Sequence, residues 1–179
     1  GVMAGNALAN AIGKEGTVYV SNVKPGISTT DQREEGFKAA MANYPNITVL
    51  ETQFNDDDAN KASAQVNAVV ARSPDLAGIF GANLFSAIGS ADGVKAMGKT
   101  GEIKVVAFDA PTRIVDDLKS GLVDLAIAQH PAEIGYMGVM VAYGHVTGNP
   151  VPVSVGTGFT VMTADNIDDP DISKYVYSD

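Results

Sequence analysis

The sequence contains no cysteine and no tryptophan, and only two histidines. Without cysteine there are no disulfides, no thiolate-ligated zinc and no thiol catalysis, although the redox compartment stays open. With two imidazoles and no thiol, the usual general bases and nucleophiles are scarce. Cations are few as well: 12 Lys plus Arg stand against 21 Asp plus Glu, a formal charge of −9. So acidic a chain, lacking a clustered basic stretch, repels a phosphate backbone, which argues against direct nucleic-acid binding. No apolar run approaches the roughly 18 residues that a membrane-spanning helix needs. There is no Gly-x-Ser-x-Gly elbow, no His-Glu-x-x-His pair, no Walker loop and no Gly-x-Gly-x-x-Gly after a strand. The reading is therefore a protein that is not an enzyme and calls for no cofactor and no metal.

What is present is a globular composition, with 45% hydrophobic and 18% charged residues over 179 positions. That is too apolar for a disordered chain and enough for a buried core. Gly1 to Ile12 reads as a helix with an apolar stripe of Val2, Leu8, Ala9 and Ile12, stopped by Gly13. From Thr17 onward, β-branched runs alternate with stretches of helical period. The strands fall at Thr17 to Asn22, Ile47 to Thr52, Leu76 to Ala82, Ile103 to Phe108 and Val123 to Gln129. The intervening helices run from about Thr30 to Asn43, up to Arg72, Phe85 to Met97 and Thr112 to Ser120, with Thr29 and Gln32 as a capping box for the first of these. Near-continuous apolar strands alternating with helices predict an α/β fold, a parallel sheet covered by helices on both faces. A further helix runs from Pro131 to Val146, followed by an extended segment to Met162 and an acidic tail at 165–170.

In an open α/β sheet, small molecules sit in the crevice at the carboxyl ends of the strands. Those ends offer Arg33 one turn into the helix after the first strand, Phe54, Asn55 and Asp57 after the second, Asn83 and Phe85 after the third, Asp109 after the fourth, and Gln129 with His130 after the fifth. Arg33 donates hydrogen bonds, Asp109 accepts them, and Asn83 and Gln129 do both. A polyol needs this mixture, because each hydroxyl is donor and acceptor at once; a phosphate would call for more cations. Phe54 or Phe85 could present a flat apolar surface to a sugar ring.

Each residue also has a purely structural reading. Asn and Asp after strands form turns and caps, Arg33 could be a solvated charge, the phenylalanines core, and Gln129 a satisfier of backbone groups. His130 reads as a hinge or capping residue and His145 as a partner of a helix C-terminus. Asp56-x-Asp58-x-Asn60 matches the start of a calcium loop but fails at Lys61 and Asn67, so the triple aspartate reads as a helix-start cluster. The coincidence of hydrogen-bonding groups at successive junctions favours a binding site.

Arg33-Glu34-Glu35-Gly36-Phe37, Ser73 to Phe80 with Asn83, Val105 to Asp109, Ala128-Gln129-His130-Pro131 and the tail Thr163 to Asp168 together resemble the ribose-type periplasmic sugar-binding proteins of ABC importers. The resemblance implies a fold in which two α/β lobes close on a sugar around three crossover segments. It puts Arg33, Asn83, Asp109 and Gln129 on the sugar-facing side of the carboxyl-terminal lobe. Two positions depart from the family: Leu84 where Asp is common, and Asp57 where an aromatic is common, which suggests an additional acceptor there. The resemblance further implies that residues 1–129 and 157–179 form the carboxyl-terminal lobe and that 130–156 belongs to the amino-terminal one. Most of that second lobe, on the order of 100 residues, would then lie outside this chain. The helix bearing Ile134, Met137 and Val141 would lack its sheet, an exposed face expected to drive homodimerisation, segment exchange or refolding against the remaining lobe.

The function this implies is capture of a sugar or sugar alcohol in the periplasm, or outside a Gram-positive membrane, and delivery to an ABC permease in the membrane. A chain holding one wall of the cleft is expected to bind sugar weakly by itself. The alternative is the effector domain of a LacI-type sugar-responsive regulator, which shares the fold; the net charge and acidic tail lean away from it.

Overall fold

The computed structural model describes residues 1–178. Its strands are β1 (Gly16–Asn22), β2 (Ile47–Val49), β3 (Gln53–Phe54), β4 (Leu76–Gly81), β5 (Lys104–Phe108), β6 (Leu125–Gln129) and β7 (Phe159–Met162). Its helices are α1 (Val2–Ala11), α2 (Ser28–Met41), α3 (Ala59–Arg72), α4 (Leu84–Ala96), α5 (Thr112–Lys119), α6 (Pro131–Val146) and α7 (Pro170–Ser173). They form one sheet of order β2-β1-β4-β5-β6-β7, with β3 also on β1. All pairings are parallel except β6 with β7. The chain first steps outward from β1 to β2 and then crosses back to β4, so β1 and β4 flank the topological switch point.

Strand alternation divides the core in two. Val18, Val20, Phe80, Val106, Phe108 and Ile127 point to the face covered by α1 and α2, where Leu8, Phe37 and Met41 are buried. Phe37 stacks on Phe80 with ring centroids 5.1 Å apart. Tyr19, Ile79, Val105, Ala107 and Ala126 point to the other face, covered by Val66, Val69, Ala87, Ala91, Val94, Ile114 and Leu118 from α3, α4 and α5. The expected two-faced α/β sheet is present.

Local details differ from the sequence reading. In α1 the buried face is Ala4, Gly5, Leu8 and Ala9, while Val2 is 53% exposed. The reason is close approach: a Cβ on Gly5 would lie 2.7 Å from Ala40 Cβ and 3.0 Å from the Phe37 carbonyl, so small residues define the contact. The expected second strand is two pieces. Residues 47–49 pair with 16–18, and 53–54 pair with 21–22 after one extra residue, as in a β-bulge. The detour turns Thr52 inward, where its hydroxyl donates to Glu34 at 2.6 Å.

The capping box does not form, because α2 starts earlier than expected and Thr29 already lies in its first turn; Ile27 is the N-cap. The acidic tail is a packed clasp: Ile167 is buried, Asp168 pairs with Lys119 at 2.7 Å, and Asp169 caps α7.

Residues 130–156 stand apart. None of α6 is buried, and Tyr136, Val139, Tyr143 and Val146 are each more than 60% exposed. α6 therefore does not fold back onto the sheet. Its entry is anchored by His130, whose ring stacks on Tyr175 at 3.6 Å and hydrogen-bonds Glu133 and Thr160 at 3.0 and 2.9 Å.

Candidate functional site

Because β3, β1, β4, β5 and β6 are parallel neighbours, their carboxyl ends form one rim, on which strand spacing of about 4.8 Å sets the separation of successive junctions. Asp57, Asn83, Asp109 and Gln129 follow or end β3, β4, β5 and β6 in that order. Far apart in sequence, they are brought to one edge by the topology.

Arg33 is the centre of the rim. It projects from α2, donates through Nη1 to the Ala82 carbonyl at 2.8 Å, and lies over the Phe108 ring, 3.6 Å from its centroid. Burial lowers the pKa of the guanidinium, and the Asp109 carboxylate and Tyr177 phenol oppose the shift; an arginine stays charged throughout. The solvated-charge reading of Arg33 does not describe it.

On either side is an amide bound to a carboxylate. Gln129 Nε2 donates to Asp109 Oδ1 at 2.6 Å, and Asn83 Nδ2 donates to Asp57 Oδ1 at 2.6 Å. Asp109 has φ +79°, and its N–H donates to the Ile127 carbonyl at 3.0 Å. A non-glycine residue in this region carries strain that the surrounding bonds must hold. Asn83 also caps α4, accepting from the Ser86 N–H at 3.2 Å. Its structural and candidate binding readings are thus compatible.

A cleft of about 310 Å³ opens here, lined by Thr29, Gln32, Arg33, Phe108, Gln129 and Phe159 among others. Phe159, 48% exposed, meets Phe108 edge-on at 5.9 Å. It is an aromatic wall that the sequence reading missed; its signal was an isolated Phe just after Gly156-Thr157-Gly158. Of the two phenylalanines expected, Phe85 is 46% exposed on the first turn of α4. Phe54 instead lines a separate groove with Pro25 and Glu34. Thr29 and Gln32, assigned to capping, face the cleft. Among the described residues no cluster of His, Asp and Glu is arranged to hold a metal ion.

Chemically, the rim presents one cation, two carboxylates and two amides, of which Arg33 and Gln129 line the aromatic-walled cleft itself and Asp109, Asn83 and Asp57 do not. That set can saturate several hydroxyls of a small polar molecule at once, each as donor and acceptor. These features define an open, mostly parallel α/β domain with a polar crevice at the carboxyl ends of its strands, lined from α2, β5, β6 and β7.

The chain belongs to the periplasmic binding protein domain family, whose model matches residues 1–150. It is 31% identical over 163 residues to the ribose import binding protein of Haemophilus influenzae, covering 91% of this chain and 55% of the relative. It is 27% identical over 164 residues to the D-allose-binding periplasmic protein of Escherichia coli, covering 90% and 53%. Among solved structures, an ABC transporter solute-binding protein from Agrobacterium vitis bound with α-D-tagatopyranose superposes with a TM-score of 0.97 at 64% identity, over 99% of this chain and 60% of that one. The chain thus spans between about half and 60% of the length of these relatives.

Proposed function

We propose that this chain supplies one wall of a sugar-binding cleft in the solute-binding component of an ABC importer. The ligand is a monosaccharide, and the 64% identity to a tagatose-bound relative favours a ketohexopyranose. The observation that carries the reading is the rim itself: Arg33 is bridged to β4 and β5, with an amide–carboxylate pair on each flank. Arg33, Asn83, Asp109 and Gln129 hydrogen-bond the sugar, Asp57 adds an acceptor, and Phe85 and Phe159 offer apolar faces to the ring.

The periplasm, or the outer face of a Gram-positive membrane, is where such a protein works, handing its sugar to a membrane permease. Residues 130–156 contribute to a facing lobe, a reading supported by a helix with no buried residue. Sugar held between two walls stabilises the closed arrangement by its differential affinity for that state. No chemistry on the ligand is required.

Calorimetric titration of the intact protein with D-tagatose, D-fucose, D-allose and D-arabinose tests this. Saturable binding of at least one sugar, lost on Asp109→Ala, is expected. Absence of binding to all of them, or turnover of the sugar, would overturn it.

A further inference from the structure

Beneath the rim, against β1 and the first turn of α4, lies a polar side chain with no exposed surface. Asn55 is fully buried. Its Nδ2 donates to Ser86 Oγ at 2.7 Å and to Ser21 Oγ at 3.1 Å, while its Oδ1 accepts from the Asp57 N–H at 2.9 Å. Its own N–H donates to the Asn22 carbonyl at 2.9 Å. One amide thereby ties strand β1, the first turn of α4 and the turn leading into α3. A buried amide is tolerated only when its donors and acceptor are matched, and all of them are.

What this amide holds is the Asp57–Asn83 pair, and it holds both members. Asp57 is gripped through its own N–H. Asn83 is gripped through Ser86, whose hydroxyl accepts from Asn55 and whose N–H donates to Asn83 Oδ1. Asp57 lies in the left-handed region at φ +64°, which an aspartate adopts at a cost of about 1 kcal/mol, and the bond from its N–H to Asn55 opposes relaxation. The carboxylate reaches Asn83 as a consequence.

We propose that Asn55 is a positioning residue that locks Asp57 and Asn83 into one specificity element, a fixed acceptor beside a fixed donor that selects a sugar by the configuration of a single hydroxyl. The inference rests on the sugar-binding reading above. An epimer moves that hydroxyl away and leaves the pair unmatched, which discriminates far more strongly than an apolar contact does.

The test is calorimetric titration of the same four sugars, and of the single-hydroxyl epimers of whichever binds best, into the intact protein and into Asp57→Ala, Asn55→Ala, the double variant, and Val69→Ala as a core control of reduced stability. Expected is at least a tenfold narrowing of the affinity ratio between the best sugar and its epimer in both single variants. The double variant should match Asp57→Ala, because the two residues act as one unit. Should Asn55→Ala fail to fold, Ser86→Ala removes one of its bonds and should narrow the ratio in the same direction. Val69→Ala should lower the unfolding temperature and leave that ratio intact. If Asn55→Ala or its substitute weakens the best sugar and its epimers equally, or Asp57→Ala leaves their affinity ratio unchanged, this inference alone falls. If the unaltered protein binds none of them, the sugar-binding reading falls and takes this one with it.

Discussion

Replacing Arg33 by Met keeps the length of the side chain and removes its charge and fork of donors. The hydrogen bond from Nη1 to the Ala82 carbonyl, 2.8 Å long, is charge-assisted and contributes about 1.5–3 kcal/mol. The guanidinium over Phe108, 3.6 Å from the ring centroid, adds about 0.5–2 kcal/mol. Against these stands the desolvation of a half-buried cation, the leading cause of its lowered pKa, which the thioether does not suffer. The difference leaves a loss of about 2 kcal/mol, and for a chain of this size each kcal/mol moves Tm by about 2–4 °C. Arg33→Met should therefore lower the unfolding midpoint by about 4–8 °C in calorimetry. Arg33→Lys should fall between, since an ammonium reaches the carbonyl or the ring but lacks the planar fork. A midpoint for Arg33→Met equal to or above that of the unaltered protein would refute the bridge between α2, β4 and β5, and with it the idea that Arg33 is structurally held at the centre of the rim.

Two glycines should respond oppositely to alanine. A Cβ on Gly89 would lie 2.2 Å from the Ala59 carbonyl oxygen and 2.6 Å from Ala62 Cβ, so Gly89→Ala should part α3 from α4 and cost about 1–3 kcal/mol in urea unfolding. Gly135, in α6, meets nothing within 4 Å, and Gly135→Ala should stabilise by about 0.5–1 kcal/mol. The Glu34 carboxyl lies below its ordinary value: burial would raise it, but hydrogen bonds from Lys38, Thr52 and Asn22 together with the Lys38 charge prevail. A depressed carboxyl pKa contributes stability that is present above the unfolded value, near 4.5, and is lost as pH falls through the folded one. Glu34→Gln should thus flatten the decline of Tm with acidification below about pH 5, and an unchanged acid slope would show that another group governs it. Asp109→Gly relieves the positive φ but deletes the bond to Gln129; unfolding should shift by less than about 1 kcal/mol while sugar titration shows affinity lost.

The positions of the main strands and of α6 were legible because both signals are local: a short β-branched run bounded by turn residues, and a proline at the first helical position followed by an apolar period. The candidate rim was legible for a different reason. Once strands are parallel, every carboxyl end lies on one edge, so Asn83, Asp109 and Gln129 can be named before any coordinate is known. What failed was whatever depended on a partner across the structure. Thr29 and Gln32 have the residue types of a capping box, yet α2 begins one residue before Thr29, where a turn at Gly26 bonded to Asp31 determines its start. Phe159 is marked locally only by the glycines before it, which say nothing of its role, because it reaches the cleft only through antiparallel pairing of β7 with β6 across an intervening helix.

By itself, then, the order of residues determined the α/β class, the strand-end placement of the polar groups and the likeness to a family, since all of these follow from periodicity and residue type along the chain. The tertiary structure decided how those groups are joined. It showed that Arg33 spans α2 to β4 and β5, that each carboxylate has its own amide, and that a buried Asn55 stands behind one of the pairs. Such contacts depend on distances between segments remote in sequence, and those distances are set by the close packing of helices on a twisted sheet, which no local pattern encodes.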